Sequence, residues 1–157
     1  MAPEVIFGPL ADDSVAPAIF GLVRGGAAAR PGLAESIRGS ILLRFEEDYP
    51  AVRIDFRGDE IEVGDEIAGD DRAVDLLVSG RMGDINALIA APLSAGLPRP
   101  TSARGRQALA RLADGRVDFD GPLRLGRTLI MLLTLEDALP KRRASRRASP
   151  SDSRPDR

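Results

Sequence analysis

The side chains most able to bind an ion form one acidic run: Asp48, Asp55, Asp59, Glu60, Glu62, Asp65, Glu66, Asp70 and Asp71. Such carboxylates hold a divalent cation only where their spacing brings several oxygens to one point. These have the spacing of strand exteriors and turns, and the D-x-[DN]-x-[DN]-G order of a calcium loop is missing. The run is expected to be a solvated sheet face, and no metal site is assigned. Phosphate-cradling glycines fare no better: Gly25-Gly26 follows an apolar helix rather than a strand, and neither G-x-G-x-x-G nor G-x-x-x-x-G-K-[ST] occurs. The chain has no histidine, cysteine or tryptophan. That removes thiol nucleophiles, disulfides, zinc–thiolate sites, imidazole bases and histidine-ligated haem. Carboxylates and serines remain without a recognisable catalytic arrangement, so the expectation is a protein that is not an enzyme and uses no cofactor.

The remaining chemistry is apolar. Gly115–Leu135 reads as a short strand, a Gly121-Pro122 turn and a leucine-rich helix. Val117 and Phe119 alternate with Asp118 and Asp120, and Pro122 suits a helix start because its missing N–H is not needed there. Arg124, Arg127, Thr128 and Thr134 share one stripe of that helix, while Leu125, Leu129, Ile130, Leu132 and Leu133 fill the rest. This is more apolar surface than a helix covering a small sheet requires. For any one of these leucines core packing is the simpler reading; for the set, a shared wall of an apolar cavity stays open. Met131 sits on the polar stripe as an isolated surface residue or a dimer contact, the former being favoured.

A sheet must supply the opposite wall. From Ser40 the apolar period becomes two: Ile41, Leu43 and Phe45, then Val52, Ile54 and Phe56, then Ile61 and Val63, then Val74, Leu76 and Val78. Short connections with one polar face predict an antiparallel meander covered on a single side. Before it, Asp12-Asp13-Ser14 caps a helix bearing Val15, Ile19, Leu22 and Val23, which Gly25-Gly26 is expected to stop, and a shorter helix follows over Pro31–Ile37. After it, Met82, Ile85, Leu88 and Ile89 share a helix face. Pro92–Arg106 reads as an irregular loop and Ala108–Leu112 as a brief helical turn. The fold class is α+β: about five strands in one mainly antiparallel sheet, with helices packed on one face.

The 157 residues fit one domain, residues 1–139, and a disordered basic tail, residues 140–157. The tail has a net charge of +5 and the rest −7. So acidic a body is a poor nucleic-acid binder. The tail repeats Arg-Arg-Ala-Ser at Arg142–Ser145 and Arg146–Ser149, a basophilic kinase consensus that arises easily by chance. A plain solubilising role comes first for it, and transient contact with an anionic membrane is the other reading. No apolar run approaches the length of a membrane span and no secretory signal is visible, which points to the cytoplasm. Arginine outnumbers lysine 21 to 1, the mark of a GC-rich, bacterial genome.

This order of elements resembles the sterol carrier protein type 2 domain family. The residues that carry the resemblance are Arg53-Ile54-Asp55-Phe56-Arg57-Gly58 with Ile61 and Val63, then Val74–Gly80 with Asp84 through Leu88, and above all Gly115-Arg116-Val117 with Gly121 and the leucine-rich helix. The resemblance spans roughly Gly32 to Leu135. It implies an apolar tunnel between sheet and helices, holding a sterol, fatty acid or acyl-CoA in a monomer. The implied lining is Val52, Ile54, Phe56, Leu76, Val78, Met82, Leu88, Val117, Phe119, Leu125, Leu129, Ile130, Leu132 and Leu133. Two departures stand out: Pro92–Arg106 is longer than the family pattern, and the peroxisomal C-terminal address is absent. The alternative is a protein-interaction or dimerisation module that uses the apolar final helix.

Overall fold

The computed structural model describes residues 1–70 and 72–134. The chain opens with strand β1 (Glu4–Phe7), helix α1 (Ala16–Ala29) and helix α2 (Pro31–Ser36). Strands β2 (Gly39–Phe45), β3 (Val52–Phe56), β4 (Glu60–Asp65) and β5 (Leu76–Gly80) follow. Then come α3 (Met82–Ala90), a small hairpin of β6 (Leu93–Ser94) and β7 (Leu97–Pro98), α4 (Ala103–Ala113), β8 (Val117–Asp120) and α5 (Leu123–Leu133). The expected tail, and Asp71 of the acidic run, lie outside the described residues.

Period-two alternation builds a sheet in the order β1-β4-β3-β2-β5-β8. It has six strands rather than about five, and it is mixed rather than one antiparallel meander. Three neighbouring pairs are antiparallel (β2 with β3, β3 with β4, β5 with β8), whereas β1 with β4 and β2 with β5 are parallel. The extra strand, β1, is four residues held between Pro3 and Pro9, too short to show an alternating pattern.

The parallel β2–β5 pair forces the connection after β4 to cross the sheet, and this corrects the single-sided cover expected from the sequence. Residues 66–70 and 72–75 run over the outer face, where Arg53 and Asp55 are buried at 4% and 7% exposure. Arg53 donates through Nε to Asp55 Oδ1 (3.1 Å) and through its terminal nitrogen to the Ala73 carbonyl (2.8 Å). Arg72 reaches Asp55 Oδ2 at 3.2 Å. A buried ion pair is tolerable when its remaining donors are satisfied in this way.

The helices all lie on the other face. Ile41, Leu43, Val52, Ile54, Ile61, Val63, Leu76, Val78 and Val117 point to that side and join residues of all five helices in one apolar cluster. Ser14, expected to cap α1, lies one residue ahead of the actual N-cap Val15, which makes no side-chain capping bond; its hydroxyl accepts from Ala16 N (3.0 Å) and donates to Asp65 Oδ1 (2.8 Å). Gly25-Gly26 does not stop α1, which continues to Ala29. Gly26 is where α1 meets α5: a Cβ there would fall 1.8 Å from the Leu132 carbonyl oxygen. The stretch expected to be an irregular loop instead holds the β6–β7 hairpin and the start of α4. Ser102 caps α4 by accepting from Gly105 N (2.9 Å), and Arg111 ties it to α3 through Asp84 (2.8 Å). No helix among the described residues is long and apolar enough to cross a membrane.

Candidate functional site

α5 begins where Pro122 and Gly121 (φ +145°) turn the chain out of β8. The turn is tight, since a Cβ on Gly121 would meet the Asp75 carbonyl oxygen at 2.5 Å. The helix lays Gly126 on the Phe119 ring and sends Leu129, Leu132 and Leu133 into the core. Of the fourteen residues expected to line a cavity, ten belong to the apolar cluster: Val52, Ile54, Phe56, Leu76, Val78, Leu88, Val117, Leu129, Leu132 and Leu133. Met82, Phe119 and Leu125 are half-buried against it, and Ile130 is buried on α5 outside it. The sheet wall and the helix wall are thus brought together.

A cleft of about 840 Å³ opens beside this wall, between α2 and the first turns of α5. Its apolar lining is Leu33, Ile37, Leu123, Leu125 and Met131, of which the sequence singled out only Leu125 as a site residue. Leu33 and Ile37 belong to the short helix expected over Pro31–Ile37 and were given no site role, and Met131 reads as a lone surface residue. The signal for the cleft was Leu123, a large apolar side chain left 68% exposed beside two arginines.

Polar groups frame the opening. Arg38, Arg124, Arg127, Asp75, Ser36 and Thr128, with Pro122, complete the lining. Arg38 donates to the Ile37 carbonyl at 2.8 Å, and Asp75 accepts from Ser40 N at 2.7 Å. Arg127 donates to the Ala95 carbonyl, fixing the tip of the β6–β7 hairpin on α5, and Gly96 there faces Met131. Ala95 adopts φ +52°, a left-handed conformation that costs a residue with a Cβ roughly 1–2 kcal/mol. Arg30, between α1 and α2, reaches over to donate to the Met131 carbonyl.

Charge is sorted by layer. The five helices carry Arg24, Arg104, Arg106, Arg111, Arg124 and Arg127 against Glu35 and Asp84. The outer face of the sheet carries Glu4, Asp55, Glu60, Glu62, Asp118 and Asp120 against Arg44 and Arg53. A second, shallower cleft of about 380 Å³ lies on that outer face around Arg53 and Asp55, whose polar atoms already bond to each other and to the crossing segment. There the Arg72 guanidinium beside Asp70 holds its carboxyl down at about 2. Glu60, by hydrogen bond, pushes Arg57 further up. Among the described residues no three acidic side chains converge to hold a metal ion.

A mixed sheet with every helix on one face, closed by a leucine-rich last helix, is the fold of sterol carrier protein type 2 domains. Solved structures that share it include the following two. A ubiquinone synthesis protein described as UbiJ-SCP2 matches with a TM-score of 0.53 at 16% identity, covering 76% of this chain and 92% of its own. Sterol carrier protein 2 from Yarrowia lipolytica, in its apo form, matches with a TM-score of 0.50 at 14% identity, covering 78% and 92%. No family model and no curated protein sequence matches the chain.

Proposed function

We propose that this chain binds or carries an apolar ligand, a sterol, fatty acid or acyl-CoA, without catalysing a reaction. The ligand would lie between the inner sheet face and α5, with the fourteen residues from Val52 to Leu133 as its walls. The observation that supports the reading is the cleft between α2 and α5, which shares Leu125 with those walls and would be the way in to them. Its volume of about 840 Å³ falls within the roughly 300–1,000 Å³ usual for small-molecule sites. An apolar floor with cations at the rim suits a greasy molecule with a polar end. One structural neighbour is named for sterol carriage and the other for ubiquinone synthesis, both in keeping with an apolar ligand.

Magnitudes fit a carrier. Burying a sixteen-carbon chain at about 0.8 kcal/mol per methylene yields roughly 12 kcal/mol. Association costs of roughly 4–15 kcal/mol offset most of that, leaving micromolar, weakly selective binding. A protein that must also release its cargo gains nothing from binding more tightly. The competing interaction-module reading needs the α5 leucines on the surface, and Leu129, Leu132 and Leu133 are 1–3% exposed. That supports the carrier, as a cytoplasmic monomer of one domain whose basic tail touches anionic membrane in passing.

Native mass spectrometry of the purified chain, followed by organic extraction, tests the reading. A co-purified or added fatty acid at one per monomer is the expected result. Met131→Glu, which places a charge on the half-buried cleft lining, should abolish uptake while circular dichroism stays native. An empty monomer that ignores palmitate, or unchanged uptake by the folded variant, overturns the assignment.

A further inference from the structure

The cleft between α2 and α5 holds more positive charge than its own residues neutralise. Arg38, Arg124 and Arg127 all line it, and among the described residues none of the three has a carboxylate within ion-pair distance. Asp75, the acidic residue of the same lining, already accepts from Ser40 N at 2.7 Å. Arg38 is turned onto the Ile37 carbonyl at 2.8 Å. The Arg124 guanidinium donates to no described residue. Arg127 uses one terminal nitrogen on the Ala95 carbonyl, which leaves its other N–H groups for the cleft. Arg124 and Arg127 stand three apart on α5, a spacing that makes them neighbours on one face.

We infer that Arg124 and Arg127 form a clamp for an anionic head, that the ligand is an alkyl chain ending in a carboxylate or phosphate rather than a neutral sterol, and that the β6–β7 hairpin holds Arg127 in place for it. Guanidinium groups meet such oxygens with paired N–H donors, and hydrogen bonds of that kind are about twice as strong as neutral ones. A sterol hydroxyl cancels no charge and cannot be gripped by two arginines at once. The hairpin positions the clamp from the side. Its tip fixes Arg127 through the Ala95 carbonyl and sets Gly96 against Met131. Ala95 keeps its left-handed conformation there, a strain of the kind that persists where the surroundings impose it. An arginine already held in this way loses little further freedom when it grips a ligand. The inference rests on the carrier reading and names the chemical class of ligand for that same cleft.

Isothermal titration calorimetry of the full chain tests it with palmitate, hexadecyl phosphate and hexadecanol, which share one chain length and differ in the head. Both anions should bind about tenfold or more tighter than the alcohol, at the usual strength of a hydrogen bond to a charged group, and the tighter of the two names the head. Arg124→Gln and Arg127→Gln should each weaken both anions by about tenfold or more and leave the alcohol within about twofold. Arg127→Lys should not restore the loss, because an ammonium lacks the planar fork. Palmitate, but not hexadecanol, should slow amide exchange in residues 93–97, since coupling between head and hairpin is reciprocal. An alcohol bound as tightly as the anions overturns the clamp while the carrier reading stands. Failure of all the probes to bind overturns the carrier reading, and the clamp with it. Hairpin exchange that ignores palmitate overturns the positioning role of β6–β7.

Discussion

Asp70 illustrates how much work one side chain does on the outer face. It accepts from the Arg72 side chain, with Nε to Oδ2 at 2.9 Å, and from the Arg72 backbone N–H at 3.1 Å. Arg72 in turn reaches Asp55, and so fastens the crossing segment over Arg53. The Arg72 hydrogen bonds bring the Asp70 carboxyl to about 2 from an ordinary 3.8. A depressed carboxyl contributes stability that is fully present above its unfolded value and is lost as pH falls through the folded one. The crossing segment is therefore expected to keep its anchor at pH 5 and to loosen between about pH 4 and pH 2. Carboxyl NMR should place the Asp70 midpoint near 2, and Arg72→Ala should return it toward 3.8. A midpoint that stays near 2 in that variant would remove Arg72 as the cause. The carboxylates of the acidic run are spread among different tasks at the same scale: Asp65 accepts from Ser14, whereas Asp55 and Asp70 both face Arg72.

At the scale of elements the decisive contact is between the first helix and the last. Gly25 and Gly26 are adjacent in sequence and opposite in role. Nothing lies within 4 Å of a Cβ on Gly25, whereas one on Gly26 strikes the Leu132 carbonyl at 1.8 Å, and that oxygen belongs to backbone. Gly25→Ala should stabilise the protein by about 0.5–1 kcal/mol through helix propensity. Gly26→Ala should destabilise it by about 1–3 kcal/mol or more as α1 and α5 are forced apart. Urea denaturation of the pair decides it, and equal shifts would refute the close approach. The strands whose apolar residues alternate, β2 to β5 and β8, were legible in the sequence, as were the apolar faces of α1, α3 and α5. Gly-Gly was misread as a stop because its spatial partner lies over a hundred residues away, where no local pattern points. β1 was invisible for the same reason, deriving its place from β4 rather than from its own four residues. Ala108–Leu112 was legible as a helical turn, but the proline- and glycine-rich stretch before it concealed the start of α4, whose Ser102 cap is local but whose packing on α3 depends on the remote Asp84–Arg111 pair. Most of the cleft lining escaped notice because it forms between α2 and α5, each of which looks ordinary alone.

For the molecule as a whole, one apolar cluster takes residues from every helix and from the strands β2 to β5 and β8. Among the described residues there is no second core to melt independently, so thermal unfolding is expected as a single transition, with calorimetric and van't Hoff enthalpies equal. Two resolved transitions in a calorimetric scan would mean the core divides along a line that its contacts do not show. The layered charge belongs to this scale as well: it is written in the choice of arginine on helices and carboxylates on strands, yet has meaning only once the helices gather on one side. The same closure of α1 on α5 bears on how the protein is made. Synthesis proceeds from the N-terminus, so Val23 and Ala27 are on hand long before the segment around Leu132 that covers them. A nascent chain halted anywhere short of α5 presents an unroofed apolar helix, and such surfaces are what aggregation and chaperone capture act upon. The half-made polypeptide, rather than the finished one, is the form that most needs shelter in the cell.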